Sequence, residues 1–140
     1  MSIAITATKL VVNDLEAHER FYQALGLKIV GRNVGGEAEV RQQQSWLSAS
    51  GEADGYILIL SRFLELPPAP RPTFPGEAWL AIRVADVEAL IAAAEAAGGG
   101  LVRPGQDRPE HGVRAALVSD PQGHVIEVVG PMLRQEAVPI

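Results

Sequence analysis

The sequence predicts an α+β fold made of two tandem βαβββ modules. Three observations carry this: an internal repeat, a helix-length segment bounded by aspartate and glycine in each copy, and strand-like runs after both. "TKLVVNDLEAHERFYQALGLKIV" aligns with "LAIRVADVEALIAAAEAAGGGLV", placing Asp14 over Asp86 and Gly26 over Gly98. Self-similarity of this kind marks a repeated supersecondary unit.

Each element follows from local chemistry. An apolar strand ends at the aspartate in both copies, and the aspartate suits a helix N-cap. The helices then run to Gly26 and Gly98, residues that suit a helix C-terminus. Ala17, Phe21, Ala24 and Leu25 form the expected apolar stripe of the first helix, and Val87, Leu90, Ile91 and Ala94 that of the second. Later strands are expected at 28–33, 40–49 and 56–61, and again at 101–103, 113–119 and 125–129. "DGYILIL" (54–60) and "QGHVIEV" (122–128) close the two modules alike, a turn glycine leading into a strand. The first module thus spans residues 4–63 and the second 78–130. A proline-rich connector, 64–77, joins them, and 131–140 is a C-terminal tail of the single 1–140 domain.

Composition narrows the function classes. The chain of 140 residues carries a formal net charge of -5, with its arginines scattered, which argues against nucleic acid or an anionic membrane as partner. No apolar run reaches the roughly 20 residues of a membrane helix, and "MSIAITATKL" lacks a signal peptide's basic start. Without cysteine, disulfides, thiolate metal sites and cysteine nucleophiles are excluded. The expectation is a soluble, cytoplasmic domain.

"VVNDLEAHERFYQALGLKIV" and "SDPQGHVIEVV" resemble the opening strand–helix unit and the closing strand of the vicinal oxygen chelate superfamily, which includes glyoxalase I, extradiol dioxygenases and bleomycin-resistance proteins. The resemblance covers residues 4–130 and implies cupped mixed sheets around a cavity. In the superfamily's metalloenzymes the first and last strand of each module carry a metal ligand. Carried over, those positions fall on Ala7, Ile59, Trp79 and Glu127, and only the glutamate offers a donor. The resemblance therefore implies a metal-independent member with no cofactor, although a distorted site using His111 is an alternative. It also implies a homodimer.

Glu127 stands among Val125, Ile126, Val128 and Val129, where a carboxylate is unusual. By strand parity it shares a face with Val125 and Val129, while Ala7, Lys9 and Val11, and Trp79, Ala81 and Arg83, share faces on the opening strands. Lys9, Trp46, Ile59, Trp79, Arg83 and Glu127 are the expected ligand-binding residues, with Glu127 the candidate catalytic one. Each has a structural alternative: an ion pair of Glu127 with Arg83 or Lys9, core filling by Trp79, a solvated Lys9, a strand edge at Trp46. Missing metal donors favour binding of a small aromatic or amphipathic molecule, in the manner of bleomycin-resistance proteins. A lone acid instead favours an isomerase, lyase or cyclase using Glu127 as general acid or base, with a metal-dependent glyoxalase or dioxygenase further off. A vestigial cavity on an interaction subunit is the third class.

Overall fold

The computed structural model describes residues 1–133; most of the expected tail, 134–140, lies outside the described residues. Met1–Arg71 form one compact unit and the chain from Pro72 onward a second. The first contains β1 (Ala7–Val11), α1 (Leu15–Ala24), β2 (Lys28–Gly35), β3 (Gln42–Ser48) and β4 (Ile57–Phe63). The second contains β5 (Leu80–Arg83), α2 (Val87–Ala96), β6 (Gly100–Arg108), β7 (Val113–Ser119) and β8 (Val125–Gly130). Both are βαβββ modules with the same strand order, β1-β4-β3-β2 and β5-β8-β7-β6, the first and last strands of each module pairing in parallel. The fold is α+β.

The caps behave alike in the two copies. Asp14 accepts from the Ala17 amide and Asp86 from the Ala89 amide, each at 3.0 Å, satisfying amides that a helix start leaves open. Gly26 and Gly98 adopt φ of 112° and 98°, left-handed conformations that favour glycine where each helix ends.

Each sheet buries one face under its own helix. In the second module Val87, Leu90, Ile91 and Ala94 of α2 are buried, as are Ala116, Val118, Ile126 and Val128 of the sheet. In the first, Leu15, Phe21 and Tyr22 of α1 are buried together with Leu47, Leu58 and Leu60. The α1 stripe differs from the sequence expectation: Ala24 is exposed, while His18 and Glu19 are buried. Glu19 tolerates burial because it accepts from Ser45 Oγ at 2.5 Å and from Arg32 Nε at 2.7 Å. Those partners stand on strands distant in sequence, so helical periodicity could not reveal them.

Strand β6 also departs from expectation. It continues through Pro104 and Gly105 to Arg108, with register shifts between Leu101 and Arg103 and between Arg103 and Gln106. A proline–glycine pair reads as a strand terminator, but an edge strand has no partner to which the missing proline N–H must donate, and an irregular register absorbs the bend. Strand β3 starts later than expected, after a short 3-10 turn at Ala38–Val40. No helix among the described residues is long and apolar enough to cross a membrane.

At the end of β8, a Cβ on Gly130 would stand 2.6 Å from the Val84 carbonyl oxygen and 3.0 Å from Val87 Cγ2. Gly130→Ala is therefore expected to lower stability by about 1–3 kcal/mol through overpacking against backbone. Gly31→Ala, with nothing within 4 Å of the added carbon, should change it by no more than about 0.5 kcal/mol. Urea unfolding of the two variants checks the contrast; equal midpoints would refute it.

Candidate functional site

Pleating of β8 decides what its side chains meet. Ile126 and Val128 turn toward α2, so Glu127 and Val129 project from the opposite face. The register continues the row across the sheet: Glu127 is paired with Leu117 on β7 and Ala81 on β5, and Leu117 with Arg103 on β6. Val129 similarly pairs with Ala115, which pairs with Gln106, and Arg108 pairs with Val113.

These rows floor a cleft of about 1000 Å³ within the second module. Leu117, Ala115 and Val129 give it an apolar base, Glu127 an acid, and Arg103 and Arg108 two bases. Phe74 and Trp79 stack with ring centroids 5.9 Å apart at 30°, and both line the cleft. Trp79 Nε1 donates to the Pro75 carbonyl at 2.7 Å, which fixes the indole while leaving the residue 41% exposed. That exposure rules out simple core filling by Trp79.

The β6 side of the cleft is held from behind. Arg114 projects to the helix side of β7, where its guanidinium meets Glu88 of α2 at 2.6 Å, Asp107 at 3.1 Å and the Gly105 carbonyl at 2.9 Å. The hydrogen bond to Glu88 is the chief reason that its pKa is raised above the ordinary arginine value. Asp107 is thus tied to the helix side, so Gln106 and Arg108 emerge on the cleft side.

The Glu127 carboxylate forms no hydrogen bond or ion pair among the described residues. Arg83 shares its face through the pairing with Val129, yet is exposed and outside the cleft lining, as a long side chain ending a short edge strand can be. Lys9 donates to Gln42 Oε1 at 2.8 Å, and Ser61 Oγ donates to the same atom. The ion pair with Arg83 anticipated as an alternative is therefore not formed, and the Lys9 ammonium is held by Gln42 within its own module. Lys9, Ile59 and Trp46 make one row across β1, β4 and β3 on the face of the first sheet opposite α1. In that row Trp46 Nε1 donates to Gln44 Oε1 at 3.2 Å. A further cleft in the first module, about 770 Å³ beside the start of α1, contains Glu19 and Arg32, already paired with each other.

The remaining histidines fall into place. Asp120 accepts from the amides of Gln122, Gly123 and His124, each at 3.0 Å, and its second oxygen lies 2.7 Å from His124 Nδ1. The "DPQGH" turn is thereby organised around one buried carboxylate. His111, exposed, stands at the cleft rim with Glu110. No close group of three metal-donor side chains includes Glu127 among the described residues. Ala7, Ile59 and Trp79 have no side-chain atom able to ligate a divalent ion, so the four family positions do not fit one.

Phe74, Arg103, Gln106 and Arg108 were not anticipated from the sequence. Phe74 lies in the stretch read as a connector, and the β6 residues lie past the expected strand end. Alternation in "RPGQDR" (103–108) would have placed them had Pro104-Gly105 been read as a bulge rather than an end.

Residues 4–128 match the sequence profile of the Glyoxalase/Bleomycin resistance protein/Dioxygenase superfamily. No curated protein matches the chain. Among solved structures, a glyoxalase family protein from Bacillus cereus superposes with a TM-score of 0.78 at 20% identity, covering 93% of this chain and 95% of that one. A glyoxalase-related enzyme from Fulvimarina pelagi gives 0.61 at 27% identity, covering 98% and 97%. A glyoxalase I mutant from Zea mays gives 0.75 at 25% identity, covering 89% of this chain and 45% of the maize protein.

Because Glu127 has no counter-ion to lose, Glu127→Gln is expected to leave fold stability within about 1 kcal/mol or raise it. Breaking a buried pair would instead cost roughly 3–5 kcal/mol. Thermal melts of wild type and variant at matched pH read the difference, and a loss in the larger range would return Glu127 to a structural role.

Proposed function

The chain belongs to the Glyoxalase/Bleomycin resistance protein/Dioxygenase superfamily, and on that premise we propose that its second-module cleft binds a small, planar, aromatic organic molecule without a metal. The observation that carries this reading is the uncovered Phe74–Trp79 stack beside an apolar sheet floor and an unpaired acid. Such a cleft combines apolar area with a few polar groups that orient a ligand. Three donorless side chains at the four ligand positions support metal independence.

The same unpaired Glu127 supports a second reading, in which it exchanges protons with the bound molecule as a general acid or base. The enzyme would then be an isomerase, lyase or cyclase. The two readings share the cleft and differ in whether the ligand is changed.

Binding of 2-naphthol, followed by calorimetry, is expected to saturate at one site per chain and to weaken about tenfold in Trp79→Ala, as loss of roughly 1.4 kcal/mol of aromatic contact implies. Elemental analysis of the same preparation should find no stoichiometric zinc, nickel, iron or manganese. Absence of saturable binding would refute the first claim, and one metal per chain the second. Exchange of the methyl protons of 2-acetylnaphthalene in D2O, lost in Glu127→Gln, would replace sequestration by the acid–base reading.

We also propose a homodimer. Apolar side chains are exposed on the edge strands, including Val34 on β2 and Leu101 and Val102 on β6, and open edges are usually covered. Light scattering at micromolar concentration should give twice the chain mass; a monomer would refute it.

A further inference from the structure

The cleft has a polar axis. Arg103 stands on β6 and Glu127 on β8, at opposite ends of one row with Leu117 between them. Strands lie about 4.8 Å apart, so the two Cα atoms are separated by roughly 10 Å, with an apolar residue between. Arg108 adds a second positive charge on the β6 side. Neither arginine side chain forms a hydrogen bond or ion pair among the described residues, and neither does the Glu127 carboxylate. The contrast with Arg114, on the other face of the same sheet and held by Glu88, Asp107 and a carbonyl, is direct.

Unpaired cations in the same cleft as a stacked aromatic wall complement an anion on a planar ring system. Arginine's planar fork suits a carboxylate in particular. At the far end an ionised Glu127 only accepts hydrogen bonds and repels a second anion. The ligand therefore needs an acidic group at one end, a hydroxyl or amino donor at the other, and an aromatic body over Leu117, Ala115 and Val129.

We propose that the cleft is selective for planar aromatic carboxylates bearing a hydroxyl or amino donor at the opposite end, the carboxylate lying against Arg103 and Arg108 and the donor against Glu127. This rests on the aromatic-cleft reading above and gives it a charge and a direction. The net charge of the chain, -5, is not concentrated in the cleft, whose lining sets Arg103 and Arg108 against Glu127 and the rim residue Glu110.

The test compares 6-hydroxy-2-naphthoate with its neutral analogue 6-hydroxy-2-naphthalenemethanol and with 2-naphthoate, by calorimetry at low ionic strength, where screening is weakest. The hydroxy acid should bind about tenfold tighter than either analogue, one charge-assisted hydrogen bond being worth about that factor. Arg103→Gln combined with Arg108→Gln should erase the preference over the neutral analogue, and Glu127→Gln should reduce the preference over 2-naphthoate. Arg62→Gln, an exposed arginine of the first module, should alter neither. Equal binding of acid and neutral analogue to wild type, or a preference unchanged in the double variant, would overturn the inference while leaving the aromatic cleft standing. A preference for the hydroxy acid over 2-naphthoate that survives unchanged in Glu127→Gln would overturn the assigned direction. If none of the three probes binds saturably, the cleft reading itself fails.

Discussion

Strand β8 is the central constraint on the second module, because it is paired on both sides and covered by a helix on one face only. Ile126, Val128 and Gly130 must lie under α2, and Gly130 fits there only without a side chain. A period of two leaves no freedom for the residues between them. Glu127 is therefore held on the uncovered face by the burial of its neighbours. Its own interactions contribute nothing to that placement among the described residues, which is why a carboxylate can stand in such an apolar run without a partner.

The arginine side of the cleft depends on a different kind of fixing. Propensity does not favour an extended conformation through Pro104 and Gly105, and the local register is irregular. Arg114 compensates by joining α2, Asp107 and the Gly105 carbonyl in one charge-assisted network behind the strand. Burial orients the acid and a polar clamp orients the bases. The two mechanisms act on opposite faces of one sheet, so changes in the cleft need not disturb the clamp.

The two modules share a plan and differ in what their uncovered faces retain. In the first, the polar groups satisfy one another: Lys9 and Ser61 both donate to Gln42, and Trp46 donates to Gln44. In the second, the side chains of Arg103, Arg108 and Glu127 are left without protein partners among the described residues. A polar group with an internal partner must give it up to meet a ligand, whereas an unpaired one exchanges only water. This asymmetry is the physical basis for assigning ligand recognition to the second module.

Much of this was legible in the sequence. The repeat, both aspartate caps, both helix-ending glycines and the apolar stripe of α2 are local patterns, and the structure reproduces them. Strand parity likewise placed Glu127 with Val129 and with the face of Trp79, because alternation is a property of the backbone alone. What the sequence left open involves residues far apart along the chain. The face that α1 buries was set by Ser45 and Arg32, which neutralise Glu19. The length of β6 was set by Arg114, and the second aromatic of the cleft came from a segment that reads as a connector. Arg83 had the right parity but the wrong position, at the end of an edge strand. Period and capping fixed which residues point together, since both act within a few residues. Which charges found partners was decided only by the tertiary structure, since pairing is a contact between strands and helices that no local pattern encodes.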